Sequence, residues 1–220
     1  MFYYHIALLK SPLSPLTYQS ERMLQIGAIV EVPLSKRTTE GVVIAEVEKP
    51  SFACELISSM CKAFYPVKTL ELARFIAEYY VCSLGEAISL FVPYQQNTVH
   101  IKETISTDIH LSHEQQKAYD YINAHAASLL FGDTGSGKTE IYMKLFERSI
   151  NEGKQVIFLL PEIGLTPQMK NRLKHHFGTH VAIWHSKISA KKKEQILYDL
   201  ADGKVSIIAG TRSALFLPLS

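Results

Sequence analysis

The sequence predicts two folds in series: a small β-rich α+β module over residues 1–100, then an α/β domain with a parallel sheet over residues 113–220, joined by a linker at 101–112. Three observations carry this. Short β-branched runs bounded by turn residues crowd the first half, strand-like and helix-like segments alternate in the second, and the polar stretch QQNTVHIKETISTDIHLSHEQ lies between them.

In the first module, Tyr3–Leu9 is apolar and β-prone and stops at a turn-rich SPLSP. Gly27–Pro33 and Gly41–Glu48 follow as strands, with the polar Leu34–Glu40 closing a hairpin between them. Leu70, Ala73, Ile76, Ala77 and Tyr80 recur at helical spacing, which predicts a helix over Lys68–Cys82 with at least one ring of Tyr79-Tyr80 in the core. Gly85–Phe91 adds a short helix before Pro93. In the second domain the expected order is helix His113–Ala126, strand Ser128–Phe131, helix Lys138–Asn151, strand Gln155–Leu160, helix Thr166–Phe177, strand Val181–Trp184, helix Ser189–Asp202 and strand Val205–Ala209.

Composition narrows the function classes. The chain has 220 residues, 23 Lys+Arg and 21 Asp+Glu, and 20% charged residues, which excludes a highly charged disordered tail. No apolar run reaches the roughly 18–20 residues of a membrane span, so no membrane partner is expected. Cys54, Cys61 and Cys82 form neither a disulfide framework nor a CxxC site, and MFYYHIALLKSP lacks the basic lead-in of a secretory signal. A reducing, cytoplasmic location is the expectation, with the cysteines packed in the core. Residues 1–105 carry net −1 and residues 106–220 net +3, so nucleic acid would be held by placed contacts rather than bulk attraction.

The strongest chemical signal is Gly132-Asp133-Thr134-Gly135-Ser136-Gly137-Lys138-Thr139, a GxxxxGK[ST] run expected between a strand and a helix. Its glycines let backbone N–H groups turn inward around phosphates, Lys138 reaches the β and γ phosphates, and the Thr139 hydroxyl binds Mg²⁺. ATP and Mg²⁺ are the expected cofactors. Asp133 would repel phosphate if it pointed inward, so it is expected to face solvent. The acid that completes such a site is poorly represented: Glu162 stands behind Pro161, and the last strand runs into Gly210-Thr211-Arg212 without a carboxylate. His175-His176, with His180 and His185, has no usual ligand spacing and reads as a solvated helix end; no metal ligand set is expected in this chain. Lys191-Lys192-Lys193 reads as a solvated helix face, and Trp184 as core.

Leu129–Met143, Leu160–Gln168 (LPEIGLTPQ), His185-Ser186 and Gly210–Ala214 (GTRSA) resemble, in order and spacing, the motifs of the primosomal replication-restart helicases of superfamily 2. In the amino half, His5–Leu8, Tyr18, Gly27, Val30–Pro33 and Gly41-Val42 resemble that family's domain for the 3′ end of a nascent strand. The resemblance implies a RecA-like first helicase lobe, incomplete at its carboxyl end, and an ATP-dependent 3′→5′ DNA helicase acting at arrested forks. Its implied partners are branched DNA, single-stranded DNA-binding protein and primosome proteins. It also implies that Gln115 reads adenine, and that Thr166 and Gln168 of motif Ia and Thr211, Arg212 and Ser213 of motif Ib touch the DNA backbone.

Leu16, Thr17, Ser35 and Lys36 correspond by the same resemblance to the 3′-end pocket, but with departures. The family has a Phe-Asp pair where this chain has Leu16-Thr17, and a Gly at Ser35. Little preference for a free 3′ hydroxyl is therefore expected. The family's winged-helix insert does not fit residues 95–110, and its DEEH motif, zinc-binding cysteines and second lobe would follow Ser220. This leads to the expectation that the chain alone does not hydrolyse ATP. The alternatives are a non-catalytic fork-binding fragment, or a small P-loop phosphotransferase with Glu162 as the acid; PEIGLTPQ and GTRSA weigh against the latter.

Overall fold

A computed structural model describes residues 1–95, 104–161 and 166–219. The chain divides into two units, Met1–Asn97 with Phe216–Pro218, and Thr98–Leu215 with Leu219–Ser220.

The first unit is built on antiparallel strands β1 (Phe2–Leu8), β2 (Leu16–Ser20), β3 (Ala28–Leu34), β4 (Arg37–Val47) and β5 (Ser59–Phe64), in the spatial order β2-β1-β4-β3-β5. Alternation along each strand sends neighbouring residues to opposite faces. Tyr4, Ile6, Leu8, Val30, Val32 and Val43 therefore share one cluster, while Ala7, Ile29, Val42 and Ile44 share the other. The second face is covered by α1 (Val67–Tyr80) and α2 (Leu84–Ile88), through Leu70, Ala73, Ala87 and Ile88. Ser83 caps α2 in a capping box with Glu86.

Two strands escape the sequence pattern. LTYQS and SMCKAF mix polar and apolar residues without a β-branched run, yet pair in β2 and β5. The hairpin between β3 and β4 is also tighter than the polar Leu34–Glu40 suggests. Leu34 pairs with Arg37, so only Ser35 and Lys36 form the loop, and Ser35 takes φ 56°, a conformation that favours glycine.

Tyr79 and Tyr80 correct the expectation of a buried ring, being 69% and 70% exposed. The last turn of α1 lacks a packing partner for these rings, which instead cluster with one another. Tyr79 stacks on Phe75 at 5.8 Å and meets Tyr80 edge-on at 4.9 Å. Cys61 and Cys82 are half-buried beside the helix-side cluster, whereas Cys54 stands outside it; all three are free thiols.

The second unit contains α3 (His113–Ala124), α4 (Lys138–Asn151), β6 (Val156–Leu159), α5 (Pro167–Phe177), β7 (Val181–Trp184), α6 (Ala190–Ala201) and β8 (Ile207–Gly210). The three strands are parallel, in the order β6-β8-β7. β8 is central and buried along its whole length, as expected of a strand covered on both faces. Met143, Phe146 and Ile150 of α4 and Leu173 and Phe177 of α5 pack on Val181, Ile207 and Ala209. Ile196 and Leu200 of α6 are buried, and Trp184 is core as expected, 6% exposed.

Residues Ser128–Phe131 do not form the expected strand. They have no regular structure, and Leu129 and Phe131 are 91% and 89% exposed. An apolar run becomes a strand only when a neighbouring backbone satisfies its N–H and C=O groups, and none does so among the described residues.

Residues 104–109 also lack regular structure but are pinned to α4. Ile105 exchanges two hydrogen bonds with the Asn151 side chain, at 2.8 and 2.9 Å. Thr107 donates to Glu147 from both its backbone and its hydroxyl, and Lys144 Nζ lies 2.9 Å from the same carboxylate. Burial raises the Glu147 carboxyl, but these donors outweigh it and hold the group below its ordinary value of 4.5. A depressed folded pKa contributes stability above the unfolded pKa, and this is lost as pH falls through the folded value. The thermal midpoint of the second unit is therefore expected to fall on acidification from about pH 5 to about pH 3. In Glu147→Gln, followed by circular dichroism, that fall should be smaller; an identical pH profile would show that the carboxylate contributes nothing.

Candidate nucleotide and nucleic-acid sites

The Gly132–Thr139 run folds as a loop that opens α4. Asp133 O accepts from Ser136 N at 3.2 Å, and Gly135 and Gly137 take φ of 88° and 82°. Those angles turn the loop back on itself, and side chains larger than glycine adopt them rarely. The Lys138 ammonium folds onto the loop, donating to the carbonyls of Gly132 and, at 2.7 Å, Asp133. A cation held over a turn of backbone at a helix N-terminus is the arrangement that takes an anionic phosphate chain. Thr139 follows on the first turn of α4, and Asp133 is exposed, as expected.

Gln115 reaches this loop, but its amide is engaged in scaffolding. Gln115 Oε1 accepts from Ser112 N at 2.8 Å in a capping box that starts α3, while Nε2 donates to Gly137 O at 3.2 Å. Glu140 lies one residue beyond Thr139 and pairs with Arg172 of α5. Burial raises its carboxyl, and hydrogen bonds from the helix backbone and Arg172 bring it below the ordinary range. Glu162 lies outside the described residues, as do the next three residues of PEIGLTPQ. Among the described residues, β6 runs into Leu160-Pro161, β7 into His185 and β8 into Thr211, so none of these strands presents a carboxylate at its carboxyl end.

At those carboxyl ends lies a hollow of about 770 Å³, lined by Leu159, Leu160, Pro161, Ser186, Thr211, Arg212 and Ser213. Parallel sheets present ligands at this edge. Arg212 is exposed and opens a short 3-10 turn over Arg212–Phe216. Ser213 Oγ is enclosed and has no hydrogen-bond partner among the described residues. Thr166 does not line the hollow: its hydroxyl accepts from Met169 N at 3.2 Å and caps α5, leaving Gln168 exposed on the first turn.

In the first unit, Leu16, Thr17 and Ser35 come together in a hollow of about 430 Å³ with Pro15, Tyr18, Pro33, Leu34, Phe52, Ala53 and Glu55. Lys36 sits in the adjoining hairpin loop, outside this lining. Tyr18 is 4% exposed and donates its hydroxyl to Pro33 O at 2.9 Å, fixing the floor. Burial, and then the Glu55 charge, push its phenol above the ordinary value of 10.0. Sequence patterning indicates neither Phe52 nor Glu55, because both belong to an irregular segment.

His176 corrects the solvated reading of the histidine pair. His175 is exposed, but the His176 side chain is only 12% exposed and its Nδ1 lies 3.3 Å from Asp108. These three residues form a loose cluster of potential metal ligands. Lys191 and Lys192 are exposed, as expected, while Lys193 Nζ lies over the Trp184 ring at 5.8 Å. No helix among the described residues is long and apolar enough to cross a membrane.

A phosphate-type loop leading into a helix beside a parallel sheet defines the class of the second unit, and comparison with known families agrees. Residues 112–219 match the DEAD/DEAH box helicase family, and residues 6–93 match the 3′ DNA-binding domain (3′BD). The chain is 46% identical over its full 220 residues to the replication restart protein PriA of Helicobacter pylori, covering 35% of that protein. It is 34% identical to the PriA of Rickettsia felis, with 97% of this chain and 35% of that protein aligned. Identity to the PriA of Treponema pallidum is 33%, with 88% and 32% aligned. The chain belongs to the PriA replication restart family. It spans about a third of the length of these curated relatives.

Proposed function

We propose that this chain is the DNA-engaging and nucleotide-binding portion of an ATP-dependent 3′→5′ DNA helicase that acts at arrested forks in replication restart. The observation that carries the reading is the Lys138 ammonium folded over the Gly132–Gly137 turn at the start of α4. The backbone N–H groups of Gly132, Asp133, Thr134, Gly135, Ser136 and Gly137 cradle the phosphates of ATP. Lys138 would move from the loop carbonyls to the phosphate oxygens, and the Thr139 hydroxyl would help hold Mg²⁺, whose chemistry there would be charge neutralisation. Gln115 holds the loop through Gly137 O, and its amide reads the adenine edge only once it releases the bonds to Ser112 N and Gly137 O.

DNA is engaged at two places. Thr211 and Arg212, with the α5 start at Thr166 and Gln168, take the phosphodiester backbone of a translocating strand without reading its sequence. Ser213 joins them only if its enclosed hydroxyl turns outward. The hollow at Leu16, Thr17 and Ser35, flanked by Lys36, receives the 3′ end of a nascent strand at a branched substrate. Single-stranded DNA-binding protein and primosome proteins are the partners this role requires.

The described strand ends carry no carboxylate to hold Mg²⁺ through water, so the 220-residue chain binds nucleotide with little turnover. In the test, Arg212→Ala weakens single-strand binding roughly fivefold and lowers the salt slope by about one. Colorimetric phosphate release stays at background when fork DNA is added. An unchanged salt slope overturns the Arg212 assignment, and robust DNA-stimulated hydrolysis overturns the binding-only reading of this chain.

A further inference from the structure

The segment 104–109 is held in place before it reaches α5. Ile105 and Thr107 are hydrogen-bonded to Asn151 and Glu147 of α4, and Ile105 and Ile109 pack on the apolar cluster of the same unit. Burial alternates along the segment, so Asp108, between Thr107 and Ile109, turns outward with its side chain 79% exposed. It meets the last turn of α5, which carries His175 and His176.

Three distances point to one chemistry. His176 Nδ1 lies 3.3 Å from Asp108 Oδ1, longer than the roughly 2.9–3.0 Å usual for an N–H···O bond. Two ligand atoms bonded at about 2.0–2.1 Å to a shared tetrahedral cation stand about 3.3 Å apart. The His175 and His176 ring centroids are 5.1 Å apart with their planes at 72°. Two imidazoles on one such cation have centroids about 5 Å apart. One ligand atom from each of Asp108, His175 and His176 lies within 4.8 Å of the other two, so a rotation of the exposed His175 ring closes the set. The surroundings favour a cation: Asp108 brings a carboxylate, and the carboxyl-terminal end of α5 carries the negative end of the helix dipole. Arg172 is engaged by Glu140, and Lys174 is exposed. Two imidazoles with one carboxylate suit Zn²⁺, whereas Mg²⁺ and Ca²⁺ take oxygen ligands.

We propose that Asp108, His175 and His176 bind a Zn²⁺ ion that fastens the segment 104–109 to the end of α5, as Asn151 and Glu147 fasten it to α4. A fourth position on the exposed side is left for water. Adjacent histidines have no usual ligand spacing. The third ligand comes from a segment far upstream, so no run in the sequence announces the set. The site uses none of the three cysteines and depends on neither the nucleotide reading nor the DNA reading.

The experiment is isothermal titration of the full, reduced chain with zinc chloride, together with the absorption spectrum of the Co²⁺-loaded chain. One equivalent of zinc binds with micromolar affinity, and excess Mg²⁺ does not displace it. Asp108→Ala and His175→Ala each weaken binding at least about tenfold. Both positions are exposed, so the variants keep the fold, as circular dichroism without metal checks. The Co²⁺ bands appear in the visible without the near-ultraviolet band of thiolate ligation. Zinc at a hundredfold excess over its Kd raises the thermal midpoint of the second unit by about 5 °C or more, and both variants lose most of that rise. Affinity unchanged in either variant overturns the proposal, as does the absence of binding below about millimolar zinc. A thiolate band also overturns it and moves the metal to Cys54, Cys61 or Cys82.

Discussion

Lys138→Ala removes ATP binding, with affinity measured by isothermal titration calorimetry falling at least about a hundredfold, while fork binding through residues 1–95 stays within about twofold. The expectation follows from the position of the ammonium. It already lies on the carbonyls of Gly132 and Asp133, so phosphate oxygens entering the loop meet a cation held in place by backbone. Alanine keeps the helix start, since it is the best helix former, and removes only the charge and its donors. The fold is therefore preserved and the loss is specific. Equal loss of nucleotide and fork binding would show that the two functions are not separable, and retained nucleotide affinity would remove this loop from the site.

Gly27→Ala should be the most damaging single methyl in the first unit. Gly27 takes φ 92°, and a Cβ placed there would lie 1.9 Å from Tyr65 O. Both backbone groups of Gly27 are committed: its N–H donates to Val43 O at 2.8 Å and its carbonyl accepts from Tyr65 N at 2.8 Å. The methyl must therefore push apart the β4 side and the start of α1, or break these bonds. A clash with backbone combined with a strained dihedral costs about 3–5 kcal/mol, at the upper end for single substitutions. For a unit of this size that lowers the thermal midpoint by roughly 15 °C or more. A midpoint within a few degrees of the unsubstituted protein, by calorimetry, would show that this close approach relaxes at little cost.

The nucleotide loop was legible because its chemistry demands a contiguous run: glycines, a lysine and a hydroxyl within eight positions need no distant partner to be recognised. Helices α3, α4, α5 and α6 were legible for a similar reason. Their apolar period and their caps at Ser112, Thr166 and Ser189 are local. Strands fared less evenly. β1, β3, β7 and β8 announce themselves by apolar or β-branched residues, whereas β2 and β5 exist because a neighbouring strand pairs with them. Ser128–Phe131 shows the converse, an apolar run without pairing, and the exposed rings of Tyr79 and Tyr80 show a helical period continuing past the surface it packs on.

The sequence by itself determined the order of the two units, the position of the phosphate loop and the absence of a basic slab, because each depends on residues adjacent in the chain or on simple counts. Only the tertiary structure decided what surrounds the candidate DNA sites. It brought Arg212 into one hollow with Pro161 and Ser186, enclosed the Ser213 hydroxyl, committed Gln115 to the loop, and carried Phe52 and Glu55 against β2. Those outcomes depend on hydrogen bonds between segments tens of residues apart, and no local periodicity encodes which strand edge an irregular segment will satisfy.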